Sequence, residues 1–305
     1  MTRKVRIRRK TWRRIRACIL IAAVCLLLIS LWQAIGKDLL NAWRARQTQD
    51  DARALYYSSA ASLFDAFFPT AQAEENSAQT ETPPEISEDF QALYDANSHV
   101  IGWLKAGADI DYPVVQYDNS YYLNHDFYGR EDVNGTLFLN EFNSLLPRDD
   151  VLLIHGHNMK SGAMFGNLMD YEDFDYVCEY PIITFRTIYD PQDVCYVPIF
   201  AFNASMNVGD DAYFDIARLN FEDDPTTDSQ DEVRHSASFS EYLTQMAEKS
   251  LWEAPVEVDV SDRLIMLITC SYYQDNGRFI LVCRQLRDGE TPDGTAELFR
   301  TESKN

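Results

Sequence analysis

Hydrophobic residues along this chain fall into three regimes. Residues 17–36 form an apolar run without charge, in which Ser30 and Gln33 are the only clearly polar side chains. Twenty residues of helix span about 30 Å, the thickness of a bilayer core, so this run predicts a membrane-spanning helix. Residues 37–63 carry scattered apolar positions (Leu39, Leu40, Trp43, Leu55, Tyr56) compatible with a helix, whereas residues 73–84 are acidic and polar with no apolar face and predict a flexible linker. Ser87-Glu88-Asp89 reads as a helix start, with Phe90, Leu93 and Tyr94 on one helical face. After His99 the pattern becomes one of short β-rich runs separated by Gly, Asn, Asp and Pro: residues 112–116, 136–139, 151–154, 182–189, 194–202, 264–269 and 279–286. Short strands at this spacing predict an all-β barrel or sandwich rather than repeated βαβ units. Residues 238–251 interrupt them, where Phe239, Tyr242, Leu243 and Met246 make an amphipathic stripe behind a serine cap and predict a helix inserted between two late strands. The acidic stretch 222–232 before it reads as a surface loop.

Charge sharpens this division. The 305 residues include 27 Lys and Arg against 48 Asp and Glu, a net charge of −21. Nine of the basic residues lie within residues 1–16, which hold no acidic one, so the rest of the chain carries −30. Such a balance excludes a nucleic-acid-binding protein, which needs basic surface to neutralise phosphates. A basic cluster directly before an apolar run keeps that end in the cytoplasm and sends everything from about Lys37 outside. A cleaved signal peptide is the competing reading, with Ala34-Ile35-Gly36 or Ala71-Gln72-Ala73 as cleavage sites. Its apolar core is usually 7–15 residues, shorter than this one, which favours a retained anchor. The expected layout is a basic cytoplasmic tail at 1–16, a transmembrane anchor at 17–36, an extracellular spacer at 37–86, one domain at 87–290 and a C-terminal tail at 291–305. Six cysteines are too few for a disulfide scaffold, and no CxxC pair exists to build a zinc ribbon. A Cys178–Cys195 disulfide is conceivable, while Cys195 and Cys283 sit in strand-like runs as core fillers.

Three features carry chemistry. Leu267-Ile268-Thr269-Cys270 is a buried-type strand ending in a cysteine, followed by a polar loop at 271–277. A thiol there is presented to solvent on a fixed backbone, although a cysteine in such a strand is more often a small core residue. Ile154-His155-Gly156-His157-Asn158-Met159 also ends a strand. Histidine serves as base or proton donor near neutral pH, and two at i and i+2 could instead ligate a metal, but no nearby Cys or Glu completes a ligand set. Arg278 follows Cys270 by eight residues, across a loop that suits a hairpin; antiparallel pairing would return it beside the thiol, where a guanidinium stabilises an oxyanion and favours the thiolate.

These residues, together with Val100-Ile101-Gly102-Trp103-Leu104, Ile110-Asp111-Tyr112-Pro113-Val114-Val115-Gln116, Tyr122-Leu123-Asn124-His125-Asp126-Phe127, Gly135-Thr136-Leu137-Phe138-Leu139, Gly156-His157-Asn158-Met159 and Met164-Phe165-Gly166, occur in an order and spacing that resemble a class B sortase over residues 87–286. The resemblance implies a mainly β fold: a closed eight-stranded barrel with an N-terminal helix and a helix inserted between the sixth and seventh strands. It implies a membrane-anchored cysteine transpeptidase in which Cys270 forms a thioester with a sorting signal of a secreted protein, His157 protonates the leaving amine and Arg278 holds the oxyanion. Thr269 and Ser271 are the expected substrate-binding residues. The accepting amine would come from a peptidoglycan precursor or a pilin, with no metal and no other cofactor, no nucleic-acid partner, and attachment to the cell membrane through the N-terminal helix. Two departures stand out: His155 occupies a position where relatives commonly carry Tyr, and Leu-Ile-Thr precedes Cys270 where Leu-Ser-Thr is more usual. A hydrolytic cysteine peptidase with the same site and a non-enzymatic surface domain are the alternatives.

Overall fold

A computed structural model of the chain describes residues 9–32, 36–66, 85–216, 230–271, 273 and 276–302. It divides into two compact units, Met1–Arg44 and Ala45–Asn305. In the first, helix α1 (Arg9–Leu31) presents Ile19, Leu20, Ile21, Val24, Leu26, Leu27, Leu28 and Ile29 with half or more of each side chain exposed. Among the described residues no helix is long and apolar enough to cross a membrane. The single-pass span expected at 17–36 therefore has no support there; its residues 33–35, like residues 1–8 of the basic tail, lie outside the described residues.

The second unit is built on eight strands: β1 (Val100–Ala106), β2 (Ile110–Val115), β3 (Leu137–Leu139), β4 (Val151–His155), β5 (Ile183–Thr187), β6 (Cys195–Ser205), β7 (Leu264–Ser271) and β8 (Gly277–Gln285). They close into a barrel in the order β1-β2-β3-β4-β7-β8-β6-β5, as expected. Most neighbours are antiparallel, but β2 runs parallel to β3 and β4 parallel to β7. A parallel neighbour cannot be reached by a tight turn, so long connections and helices cross the barrel's outside. This explains why β7 reads as a nearly continuous apolar run, buried along its length except at Cys270: one face lines the barrel and the other is covered. Apolar side chains from β1–β8 form one core with Phe165, Leu168, Tyr171 and the helix stripe Phe239, Tyr242, Leu243 and Met246.

Several expectations are redrawn. The inserted helix, α5 (Gln230–Lys249), begins eight residues before Ser238, and residues 222–229 of the expected loop lie outside the described residues. The C-terminal stretch contains helix α6 (Pro292–Glu302), whose fully buried Phe299 lies 6.3 Å from Phe174 of α4 (Phe174–Glu179). Ser87 leads into a 3-10 turn (Glu88–Phe90) and the short α3 (Gln91–Ala96), with Phe90 and Leu93 buried as read. The stretch read as a spacer holds helix α2 (Lys37–Ala66). From Ala45 onward this helix belongs to the barrel unit. Ala52 and Tyr56 are buried in a second apolar cluster with Phe90, Trp103 and Phe138. Tyr56 stacks flat on Trp103 at 4.5 Å and 4°, Trp103 Nε1 donates to Asp111 at 2.6 Å, and Arg53 pairs with the same carboxylate at 3.3 Å. None of the six cysteines is in a disulfide, so the conceivable Cys178–Cys195 bridge does not form; Cys178 and Cys283 are buried and Cys195 partly so.

Candidate active site

Two strands and one turn bring the chemistry-bearing residues together. In the parallel β4–β7 pair, Ile154 lies beside Leu267 and His155 beside Ile268. In the antiparallel β7–β8 pair, Cys270 lies directly opposite Arg278. The antiparallel pairing expected across the polar loop therefore forms and places Arg278 opposite Cys270 in register. Cys270, Arg278, His157 and His155 line one groove of about 310 Å³, with Leu123, Met206 and Ile268 among its apolar walls.

The turn after β4 is stitched to the end of β7. Gly156 N–H donates to the Ile268 carbonyl at 3.1 Å, the Thr269 hydroxyl donates to the Gly156 carbonyl at 2.8 Å, and Asn158 Nδ2 donates to the Cys270 carbonyl at 2.8 Å. A Cβ at position 156 would collide with Leu137 and the Phe165 ring, so only glycine lets this turn lie flat against the barrel. The result fixes the backbone of Cys270 and that of His157 relative to each other, across 113 residues of sequence.

His157 Nε2 lies 2.8 Å from the Leu123 carbonyl. A carbonyl only accepts, so Nε2 carries the proton and Nδ1 is the other ring nitrogen available for proton exchange. Leu123 ends a 3-10 turn (Tyr121–Leu123). That turn is capped by Asp118, whose carboxylate accepts the Ser120 and Tyr121 N–H groups at 2.8 and 2.6 Å; these bonds lower its pKa. The ring of His125 stacks on Tyr121 at 3.9 Å and steadies the same turn. Arg278 Nη1 donates to the Gly277 carbonyl at 2.9 Å, and none of the ion pairs among the described residues involves it. A guanidinium so held has no carboxylate paired with it among the described residues.

His155 differs from its neighbour. Burial, then the nearby Arg278 charge, pull its pKa from 6.5 down to about 4, so it stands as a neutral imidazole at ordinary pH. Thr269 is buried with its hydroxyl committed to Gly156, and it lines the groove; Ser271 is buried beside it, and its hydroxyl accepts the Tyr273 N–H at 3.4 Å. Among the described residues no group of three or more His, Cys, Asp and Glu is arranged to hold a metal ion. The Leu123 carbonyl and Asn158 escaped the sequence reading. A backbone acceptor leaves no side-chain signature, although the Asp118–Ser120 cap that presents it does; Asn158 was visible only as the third member of Gly-His-Asn-Met.

No family model matches the chain. Sortase B of Listeria monocytogenes serovar 1/2a (strain ATCC BAA-679 / EGD-e) is 29% identical over 258 residues, covering 83% of this chain and 89% of that protein. Over most of its length the chain is thus similar to sortase B proteins. Two solved structures share the fold. Sortase B from B. anthracis in complex with AAEK1 superposes with a TM-score of 0.60 at 22% identity, over 82% of this chain and 99% of that one. A Staphylococcus aureus sortase B–substrate complex gives 0.60 at 21%, over 82% and 100%. The similarity supports a sortase-type cysteine transpeptidase.

Proposed function

We propose that Cys270, His157 and Arg278 perform acyl transfer on a sorting signal of a secreted protein. The observation that carries this reading is the register of β7 and β8, which sets the thiol opposite an arginine that no acid neutralises among the described residues. Cys270 Sγ, its proton taken up by His157, attacks a peptide carbonyl; the S–C bond forms and the charge developing on oxygen meets the Arg278 guanidinium. The C–N bond then breaks, and His157 returns the proton to the departing amine. A second amine, from a peptidoglycan precursor or a pilin, attacks the thioester; the new C–N bond forms, the C–S bond breaks and the thiol is regenerated. Peptide-bond energy is kept in the thioester, so the exchange needs no nucleotide. Thr269 and Ser271 flank the thiol and enter this reading as residues that shape the substrate-binding end of β7.

Attachment to the cell membrane is part of the same proposal and rests on the sequence alone: a charge-free run of twenty residues follows nine basic ones. The catalytic domain would then stand outside the membrane. The test is intact-mass detection of an acyl-enzyme during cleavage of a peptide library, with and without added amine. Acyl transfer predicts an adduct on Cys270 and a product carrying the added amine. An adduct on another cysteine, or products of hydrolysis alone at saturating amine, refutes it.

A further inference from the structure

The carbonyl that holds His157 belongs to a turn whose own bonds are weak. Leu123 N–H reaches the Ser120 carbonyl at 3.2 Å, and Asn124 N–H reaches the Tyr121 carbonyl at 3.2 Å. Both are long for N–H···O bonds and reflect the poorer geometry of a 3-10 turn. The bonds that reach the turn from outside are shorter. Asp118 Oδ1 accepts the Tyr121 N–H at 2.6 Å and both the N–H and the hydroxyl of Ser120 at 2.8 Å. A carboxylate acceptor makes such bonds about twice as strong as neutral ones, and they in turn hold its pKa below the usual carboxylate range. On the other side of the same residue, His125 Nδ1 lies 2.8 Å from the Tyr121 carbonyl. A carbonyl only accepts, so this nitrogen donates. Tyr121 is thus gripped at its N–H and at its carbonyl, two residues before Leu123. The middle of the turn is pinned separately: the Tyr122 carbonyl accepts the Thr136 N–H at 2.9 Å, and the buried Tyr122 hydroxyl accepts from Asn97 Nδ2 at 2.9 Å. That pin fixes where the turn sits. The grip on Tyr121 fixes how its peptide planes are rotated, and so where the Leu123 carbonyl points.

We propose that Asp118 and His125 are positioning residues for proton transfer: together they aim the Leu123 carbonyl at the Nε2–H of His157 and so keep Nδ1 as the ring nitrogen that exchanges a proton. This rests on the acyl-transfer reading of the site. Neither residue is among the described ones that line the groove; both act through Tyr121, Leu123 and then His157. Released at Tyr121, the turn is left with its two 3.2 Å bonds, and the Leu123 carbonyl swings off the Nε2–H axis. Misplacing a group that orients the chemistry by about 1 Å costs on the order of 10²-fold in rate. Partial release therefore lowers kcat by about 10- to 100-fold. KM changes little, because the lost interaction orients the imidazole and does not hold the peptide.

The experiment uses the full chain, with ¹⁵N-labelled histidine for the spectra, and the best-cleaved peptide of the library with triglycine as the amine. Asp118→Ala removes the acceptor. Asp118→Asn keeps an oxygen in the same place and loses only the charge. His125→Phe keeps a ring to stack on Tyr121 and removes the donor. Two quantities are read: kcat and KM, and the one-bond ¹H–¹⁵N signal of His157 Nε2–H, assigned with His157→Gln, which is visible only while its hydrogen bond slows exchange with water. The expected result is that Asp118→Ala and His125→Phe lose that signal and about 10- to 100-fold in kcat, with KM within about twofold, and that Asp118→Asn keeps the signal and most of kcat. Where Asp118→Ala does not fold, His125→Phe decides by the same two readouts. Wild-type values in either of these two variants, a loss carried by KM, an equal loss in Asp118→Asn, or a wild-type chain without the signal overturns the inference while leaving acyl transfer standing. A wild-type chain that cleaves no library member overturns the acyl-transfer reading and this inference with it.

Discussion

Replacing Tyr56 by Ala tests whether α2 is a working part of the barrel unit. Tyr56 is only 3% exposed, although it lies 44 positions before the first barrel strand. Its ring stacks on Trp103 and lies 5.3 Å from that of Phe90. Removing a buried aromatic side chain costs about 3–5 kcal/mol, which includes the cavity left behind. At ~2–4 °C per kcal/mol for a domain of this size, the melting temperature should fall by roughly 6–20 °C. A deletion to residue 84 should cost more, because Ala52, Thr48 and Gln49 are also buried on this face and Arg53 leaves Asp111 without its ion pair. We therefore propose that the autonomous folding unit starts at Ala45. Calorimetry of the full chain, Tyr56→Ala and the two truncations beginning at 45 and at 87 measures the difference. A Tyr56→Ala transition within 2 °C of wild type, or a chain from residue 87 as stable as one from residue 45, refutes the reasoning, since the helix would then contribute nothing to the fold.

Cys270→Ala should abolish acyl-enzyme formation, whereas Cys283→Ala, deep in β8, should leave turnover largely intact; intact-mass trapping separates the two. Arg278→Lys keeps the charge but loses the planar fork, and turnover should fall by about 10²–10³ with the melting temperature unchanged; near-normal turnover reduces Arg278 to a generic positive charge. His157→Ala should lose far more activity than His155→Ala when both are assayed on one peptide, and equal losses would refute the assignment of proton transfer to His157. Stability should fall on acidification. The unfolded His155 binds a proton near pH 6.5 and the folded one only near 4, so between these values the unfolded chain holds more protons and folding weakens as pH drops. Its share from pH 7 to 5 is about 2 kcal/mol. Urea midpoints at the two pH values should converge in His155→Phe; the full pH slope persisting in that variant would show that another group titrates.

Much of the barrel was legible because its strands are short, apolar and punctuated by turn residues, and the hairpin joining β7 to β8 followed from the eight-residue spacing of Cys270 and Arg278. β1 was not read as a strand from its pattern. It is buried on both faces except at Lys105, so alternation is missing, and Gly102 lies where the backbone of β5 comes too close for a side chain. The docking of α2 was hidden for a different reason: Ala45, Ala52 and Tyr56 are too few and too small to mark an apolar stripe, and their burial depends on Trp103, far along the chain. The start of α5 was set eight residues late because the serine at 238 resembles a cap while lying inside the helix. In the site, side-chain identity pointed to Cys270, His157 and Arg278, but the backbone carbonyl of Leu123 that orients His157 left only the indirect signature of the Asp118–Ser120 cap.

The parallel pairing of β4 with β7 also governs when the enzyme can first act. His155 and Ile268 are neighbours in space yet 113 positions apart in synthesis, and β8, which bears Arg278, is the last strand to emerge and hydrogen-bonds to both β6 and β7. Closing so long a loop comes late in folding. Cys270 therefore meets Arg278 only when the final strand seals the barrel. On the proposed roles of these two residues, competence comes at the end of assembly, and a chain cut short before residue 278 lacks the arginine assigned to the oxyanion.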